Sequence, residues 1–183
     1  MTDYTDELSR LKKLEAGGKI KKSGFDYSDL EDLAKKIIKW REDGTTLDKY
    51  LLTRYGSDED LDKLVHDSRD VVRLGVAERG RDKDLNILVN DKDWHVRIEV
   101  ATHGRGKDLD ILVSDPDWSV RCAVAECGRD KDLDILVNDE SDYVRQSVAW
   151  KGRSKDLNKL IDDTNENIRE TADFLTAVKE TTD

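Results

Sequence analysis

Apolar side chains recur in a fixed pattern along residues 59–178, and the pattern repeats every 24 residues. Leucine occupies positions 3 and 6, valine or isoleucine occupies positions 7 and 14, and valine occupies position 18 in the first four repeats. Spacings of three and four residues are typical of helices, whereas strands alternate. Each repeat is therefore predicted to form two short helices, helix A over positions 1–8 and helix B over positions 12–21. The repeats are 59–82, 83–106, 107–130, 131–154 and 155–178.

Glycines and short polar residues predict where these helices begin and end. Position 22, just after helix B, is predicted to be a left-handed residue that ends the helix, because it is glycine in four repeats: Gly80, Gly104, Gly128 and Gly152. Position 24 is predicted to be the N-cap of the next helix A, because most of its residues are good caps: Asp82, Gly106, Asp130 and Ser154.

Position 15 is arginine in every repeat and follows the core valine of helix B. An arginine at the edge of a core needs a partner, and position 9, in the turn between the two helices, is always aspartate. A bidentate Arg–Asp pair, within one repeat or between neighbours, would form a ladder along the array. The predicted structural ladder comprises Asp67, Asp91, Asp115, Asp139, Arg73, Arg97, Arg121 and Arg145.

The ends of the chain follow the pattern poorly. Two longer helices are predicted over Thr5–Ala16 and Ser28–Glu42, and Thr46–Tyr55 is similar to a degenerate helix B. We therefore expect an N-terminal helical cap at 1–56, five tandem repeats at 57–178 and a tail at 179–183. The predicted fold class is all-α: an α-solenoid of two-helix, 24-residue repeats with an N-terminal helical cap.

The motif Leu-x-x-Leu-Val-x-Asp-x-Asp-Trp-x-Val-Arg-x-x-Val-Ala, at 85–101 and 109–125, resembles short-period relatives of HEAT repeats. It is most similar to the leucine-rich repeat variant family, which shares the 24-residue period. The resemblance implies a right-handed solenoid in which helix A is either an α-helix or a 3₁₀ helix. The family's prolines between repeats are replaced here by Gly-Arg-Asp-Lys-Asp, and no cysteine precedes Cys122, so an N-terminal iron–sulfur cluster is not carried over.

The distribution of charge along the chain indicates what kind of partner binds. Residues 57–183 hold 20 Lys/Arg and 31 Asp/Glu, a net charge of −11, whereas residues 1–56 hold 12 and 11. We expect this surface to repel nucleic acid and membranes and to attract a protein with a basic surface. The chain has no apolar run long enough for a bilayer and no basic, apolar leader, and Cys122 and Cys127 are too poorly placed to pair, so a reduced cytoplasmic protein is expected.

No motif for catalysis, metal binding or a cofactor is present, so we expect no catalytic residues, no metal and no cofactor. His66, His95 and His103 lie in different positions of their repeats, and the regular glycines are helix ends rather than a phosphate loop. The Asp-x-Asp pairs lack the glycine and distal glutamate of a calcium loop and are interpreted as caps.

Two sets of residues are candidates for binding a partner. Stacked aromatic residues along one edge of a solenoid can be binding hot spots, and the candidates are Trp94, Trp118, Tyr143 and Trp150. For Trp94 and Trp118 the favoured interpretation is that they pack on the turn of their own repeat. At position 20, Trp150 stands among Glu78, Thr102 and Glu126, and is the strongest single candidate. The second set is an acidic row on helix A, whose residues also suit a helix N-terminus: Asp84, Asp108, Asp110, Asp132 and Asp134.

These features favour a non-enzymatic protein–protein interaction scaffold, because solenoids offer long surfaces and little enclosed volume. The alternative is an acidic nucleic-acid mimic that inhibits a nuclease or another nucleic-acid-binding protein, as phage inhibitors of CRISPR effectors do. That alternative requires a continuous stripe of carboxylates, and acids paired with Lys and Arg would argue against it. A third hypothesis is an enzyme, including one that modifies nucleic acid, and it requires a pocket with clustered titratable groups. Basic residues near the N-terminus leave a nucleic-acid partner open: Arg10, Lys12, Lys13, Lys19, Lys21 and Lys22.

Overall fold

The computed structural model describes residues 4–17 and 29–181, and the regular elements in those ranges are all α-helices. Their bounds are α1 Tyr4–Ala16, α2 Leu30–Asp43, α3 Thr46–Tyr55, α4 Asp58–Leu64, α5 Asp70–Glu78, α6 Asp82–Leu88, α7 Trp94–Thr102, α8 Gly106–Leu112, α9 Trp118–Cys127, α10 Asp130–Leu136, α11 Asp142–Lys151, α12 Ser154–Leu160 and α13 Glu166–Glu180. The predicted fold class, an all-helical α-solenoid of repeated helical pairs, is confirmed. Within these ranges no helix combines the length and the apolar character that crossing a bilayer requires.

The chain divides into two compact units, residues 1–79 and 80–183. The repeat at 59–82 supplies α4 and α5 to the first unit. The organisation predicted from the sequence, with a cap at 1–56, repeats at 57–178 and a tail at 179–183, stays a prediction. Of the basic residues near the N-terminus, Lys19, Lys21 and Lys22 lie outside the described residues.

In the first unit, α1 packs on α2, α2 on α3, and α3 on both α4 and α5. Leucine and isoleucine side chains spaced three or four residues apart on these helices form its core: Leu11, Leu33, Ile37, Leu52 and Leu61. Side chains fix where the helices begin. Asp29 accepts a hydrogen bond from the Asp32 amide at the start of α2, and Thr45 forms a capping box with Asp48 at the start of α3.

In the second unit, short A helices (α6, α8, α10 and α12) alternate with longer B helices (α7, α9, α11 and α13). The B helices stack in chain order, and α8, α10 and α12 each pack against the B helices before and after them. The columns at positions 3, 6, 14 and 18 form the core. In α6 to α11, every leucine at positions 3 and 6 and every valine at positions 14 and 18 is at most 1% exposed. Burial of each such side chain stabilises the fold by about 1.5–3 kcal/mol.

The helix boundaries agree with the prediction at one end and correct it at the other. The position-22 glycines have φ between 64° and 72°, so the left-handed termination of helix B is confirmed. The N-cap of each A helix in the second unit is, however, the arginine at position 23, and the predicted caps at position 24 are the first helical residues. The A helices of the second unit are α-helices of seven residues, which decides the alternative that the resemblance left open.

Candidate protein-binding surface

The position-23 arginines and the position-2 aspartates form buried pairs at the start of each A helix of the second unit. Asp108 lies in the first turn of α8, is 2% exposed and accepts hydrogen bonds from Arg105. The Nη1 of Arg105 also donates to the Asp82 carbonyl of the preceding repeat, at 2.9 Å. The same arrangement recurs in the pairs Arg81–Asp84, Arg129–Asp132 and Arg153–Asp156.

These pairs correct part of the predicted acidic row. Asp84, Asp108 and Asp132 are not available to a partner, because each is buried and accepts hydrogen bonds from an arginine. The hydrogen bond from Arg129 to Asp132 raises the pKa of that arginine. A buried carboxylate needs such a partner. The arginine that supplies it folds back from the N-cap, and this explains why position 24 does not cap the helix.

The two remaining members of the acidic row, Asp110 and Asp134, are half-exposed but ion-paired. Asp110 lies 2.8 Å from Arg129 and 2.6 Å from Lys131, and Asp134 has the same distances to Arg153 and Lys155. The Lys131 hydrogen bond lowers the pKa of Asp110. The A-helix surface therefore carries alternating paired charges rather than a continuous stripe of carboxylates.

The ladder residues of the second unit join neighbouring repeats. Arg97 donates through Nε and Nη2 to both carboxylate oxygens of Asp115, at 2.6 and 2.8 Å, and through Nη1 to the Asp91 carbonyl of its own repeat. Asp115 in turn accepts from the Asp117 amide in the turn before helix B. The same geometry recurs in Arg121–Asp139 and Arg145–Asp163. Each arginine therefore uses the aspartate of the following repeat, and these residues hold the repeats together.

In the first unit, Asp67 lies in the turn before α5 and has two cation partners. Asp67 pairs with Arg69 and Lys49 rather than with a position-15 arginine. The hydrogen bond from Arg69 lowers the pKa of Asp67 well below its usual range. Arg73 is buried and donates to the carbonyls of Asp67 and Ser68 in its own repeat.

The outer face of the B helices has a different character. Positions 13, 17 and 20 of helix B are four and seven residues apart and so lie on one side of the helix. Position 17 carries small residues in three successive B helices: Ala123 on α9, Ser147 on α11 and Thr171 on α13. On either side of this row stand position 13 and position 20. Position 13 holds Ser119, Tyr143 and Asn167, and position 20 holds the larger Glu126, Trp150 and Phe174. We name the face formed by positions 12, 13, 17 and 20 of α9, α11 and α13 the B-face groove.

Where the B-face groove passes from α9 to α11, one of its edges is formed by two aromatic rings. Trp118 and Tyr143 stack with their ring centroids 4.7 Å apart and their planes 26° apart. Their side chains are nevertheless 45% and 63% exposed. Trp94 continues the column one repeat earlier, where its ring stacks on His95 at 3.5 Å. Two of the predicted aromatic candidates therefore lie together, and Trp94 lies on the neighbouring helix α7.

The opposite edge holds Trp150 on α11 and Phe174 on α13, and each is 64% exposed. Both occupy position 20 of their repeats, and α11 packs directly on α13. Phe174 is not among the predicted candidates, although its 24-residue offset from Trp150 places it in the same column. Position 20 is exposed throughout the second unit, so these rings are on the surface because of their place on helix B.

Acidic side chains surround the B-face groove without an ion pair among the residues that the structure describes. They are Glu126, Glu166 and Glu170, all exposed. Glu126 shares the column of Trp150 and Phe174, and Glu170 lies one turn before Phe174 on α13. The nearby Lys151 ammonium donates to the backbone carbonyl of Glu126 rather than to its carboxylate. The groove therefore combines exposed aromatic rings with unneutralised negative charge.

The A-helix surface also exposes apolar residues that were not predicted. Ile87, Ile111 and Ile135 recur at position 5 and are between 45% and 55% exposed. Each lies on its own short helix, and the ion pairs of Asp110 and Asp134 lie beside them. Single exposed apolar residues are common on protein surfaces, and no exposed aromatic ring accompanies these three on the described A helices.

The first unit contains a charged cavity of about 480 Å³ between α1, α2 and α4. Its buried carboxylate, Glu7, pairs with Arg10 and Arg41, and Arg41 also binds both oxygens of Asp60 at 2.7 and 2.6 Å. Arg10 further donates to the carbonyl of Gly56 at the end of α3. These charges neutralise one another and tie α1 to α3 and α2 to α4.

The cysteines and histidines do not form a reactive cluster in the described residues. Cys122 and Cys127 are free thiols, and burial raises the pKa of both, which disfavours the nucleophilic thiolate at neutral pH. The Cys127 thiol donates to the Ala101 carbonyl at 3.3 Å. No group of three His, Cys, Asp or Glu side chains suited to a metal ion occurs within residues 4–17 and 29–181.

Comparisons with known proteins add little to this geometry. No family model matches the chain, and no curated protein matches it. Among solved structures, it is similar to a leucine-rich repeat variant with a novel repetitive protein structural motif. The two are 23% identical, the match covers 90% of this chain and 84% of the other, and the TM-score is 0.49. The HEAT-like relationship stays a prediction, and the repeat architecture rests on the helices and columns described above.

Proposed function

We propose that this chain is a non-enzymatic protein–protein interaction scaffold and that the B-face groove is its binding surface. The observation that carries the proposal is the pair of exposed aromatic edges, Trp118–Tyr143 and Trp150–Phe174, on a surface that is otherwise polar and charged. Trp and Tyr dominate binding energies because they bury a large rigid area at little entropic cost. Leaving four such rings in water is unfavourable unless a partner covers them.

The acidic nucleic-acid mimic receives less support from the same geometry. Of the five aspartates on which it depends, Asp84, Asp108 and Asp132 are buried. Asp110 and Asp134 each have both an arginine and a lysine within 2.8 Å. Because a mimic must present a row of unpaired charges to a basic protein, paired carboxylates of this kind favour the scaffold over the mimic.

The test is capture of partners from a lysate of the protein's native cells, at low salt and at about 0.5 M salt, where screening removes surface electrostatics. The variant carrying Trp150→Ser and Phe174→Ser removes one aromatic edge. Ile111→Ser is the matched control, since it removes a comparably exposed apolar side chain from the A-helix surface. Circular dichroism shows that each variant is folded.

We expect the wild-type chain and the Ile111→Ser variant to retain the same proteins at both salt concentrations, and the double variant to lose them. Retention of the same proteins by the double variant would overturn the assignment of the groove. A basic nucleic-acid-binding protein that is held at low salt, lost at high salt and unaffected by the double variant would favour the mimic instead.

A further inference from the structure

The shape of the B-face groove determines what kind of segment fits it. Its two edges, at positions 13 and 20 of one helix, are seven residues apart, which is about 10.5 Å along the helix axis. The rings of Tyr143 and Trp150 stand at these positions on α11 and are exposed. Neighbouring extended chains lie about 4.8 Å apart. The groove is therefore wide enough for an extended segment.

The distance between stacked B helices determines how often a segment bound in the groove meets a helix. Packed helices lie about 8–10 Å apart, and an extended chain advances about 3.3 Å per residue. A bound segment therefore meets one B helix about every three residues. Crossing α9, α11 and α13 takes about six to nine residues, and the aromatic edges lie at two of these steps.

The charges around the groove select the side chains of that segment. Glu126, Glu166 and Glu170 have no cation partner among the described residues, although the A-helix acids do. A Lys or Arg of a bound segment would supply the missing charge. Arginine suits Trp150 in addition, because its guanidinium stacks on an aromatic face.

The floor of the groove offers hydrogen-bond acceptors to a peptide backbone. The Ser147 hydroxyl donates to the Tyr143 carbonyl, and the Thr171 hydroxyl donates to the Asn167 carbonyl. Each hydroxyl proton is thus directed along its own helix, and the hydroxyl oxygen of Ser147 keeps lone pairs that can accept from a peptide N–H. An extended segment has such N–H groups, whereas the N–H groups of a helix interior are already bonded.

Resting on the proposed function, we infer that the occupant of the B-face groove is an extended, basic peptide segment of a partner protein. The segment carries Lys or Arg interspersed with large apolar residues at a spacing of about three residues. It crosses α9, α11 and α13.

The experiment selects random nonapeptides displayed on phage against the immobilised full-length chain, with the Trp150→Ser, Phe174→Ser variant as the target of counter-selection. The most enriched nonapeptide is then synthesised with a fluorescent label, and its affinity is measured by anisotropy. A second version carries a central proline, which breaks a helix and is tolerated by an extended chain. The Ile111→Ser variant again serves as the matched control.

We expect the enriched peptides to be basic, with apolar residues three positions apart. The proline version should bind the wild-type chain with an affinity within about twofold of the original peptide. Both peptides should bind the double variant roughly tenfold or more weakly than the wild type. Enriched peptides with helical spacing whose affinity is lost with proline would overturn the inference. So would acidic peptides, or no enrichment over the counter-target. If the groove-dependent capture of cellular proteins persists while no nonapeptide binds, the scaffold proposal stands and the extended segment is wrong.

Discussion

The two faces of the second unit are built from the same repeats but use their charges in opposite ways. On the A-helix face, Asp110 and Asp134 each have an arginine and a lysine within 2.8 Å, and the apolar residues stand singly. On the B-helix face, Glu126 and Glu170 have no cation partner in the described part of the chain, and aromatic rings line both edges of the groove.

The difference shows how a repeat separates stability from binding. The arginines that staple one repeat to the next occupy positions 15 and 23, and both lie away from the B-face groove. Position 20, by contrast, is exposed and varies between repeats, from Glu126 to Trp150 and Phe174. Variation in a column whose neighbours are constant is what a binding surface on a repeat scaffold requires.

The largest effect is expected in the core that both faces share. Leu112 lies on α8, is 1% exposed and belongs to the column at position 6. Leu112→Ala should lower the free energy of unfolding by about 2–5 kcal/mol, since it removes buried methyl groups and leaves a cavity. Denaturant unfolding measures this. An unchanged midpoint would contradict the column assignment and the description of both faces with it.

A second substitution separates buried from exposed acids on the A-helix side. Asp108→Asn removes the buried charge that Arg105 binds and should cost about 3 kcal/mol, because the guanidinium is left without its main partner. Asp110→Asn, two residues later on the same helix, is the matched control and should leave the melting temperature unchanged, since its pairs are exposed. Equal destabilisation by the two substitutions would show that the buried pairs contribute no more to stability than the exposed pairs.

The ladder predicts a loss of stability in acid. The hydrogen bond from Arg145 lowers the pKa of Asp163 in the folded chain. A lowered folded pKa stabilises the fold above the unfolded value of about 3.9, and that contribution is lost as pH falls from there towards the folded pKa. The melting temperature should therefore be steady from about pH 7 to pH 5 and fall below about pH 4. Asp163→Asn should lower the melting temperature at neutral pH, and in acid the variant should melt at nearly the same temperature as the wild type. An equal difference in melting temperature at both pH values would contradict the role of the Arg145–Asp163 pair.

Most of the features that could be predicted from the sequence follow from the repeat columns, because the period of the apolar residues determines which side of each helix is buried. Gly128, for example, was assigned its left-handed conformation from its place after helix B, and Phe174 could have been found by adding 24 to Trp150. The burial of Asp108 could not be predicted, since it depends on Arg105 folding back over the first turn. Nor could the sequence decide which aspartate Arg97 binds, because one lies in each neighbouring turn.

The aromatic edge should matter for binding and not for folding. Trp150→Ala should weaken partner binding by about 2 kcal/mol, roughly thirtyfold, as removal of a central hot-spot residue does. The melting temperature should stay within error of wild type, because the ring is already 64% exposed. Ile111→Ala on the A-helix face is the control and should change neither quantity. A fall in melting temperature with Trp150→Ala would mean that the ring stabilises its own repeat.

The smallest effect compares one acid on each face. Glu170→Gln removes a carboxylate that has no cation partner, so it should weaken binding of a basic partner by roughly two- to threefold at low salt, mainly through slower association. Asp110→Asn removes a carboxylate already neutralised by Arg129 and Lys131, and association should be unchanged. Association rates measured across a salt series separate the two, since the Glu170→Gln difference should vanish as salt screens the charge. Equal effects from both faces would mean that the overall negative charge, and not the B-face groove, attracts the partner.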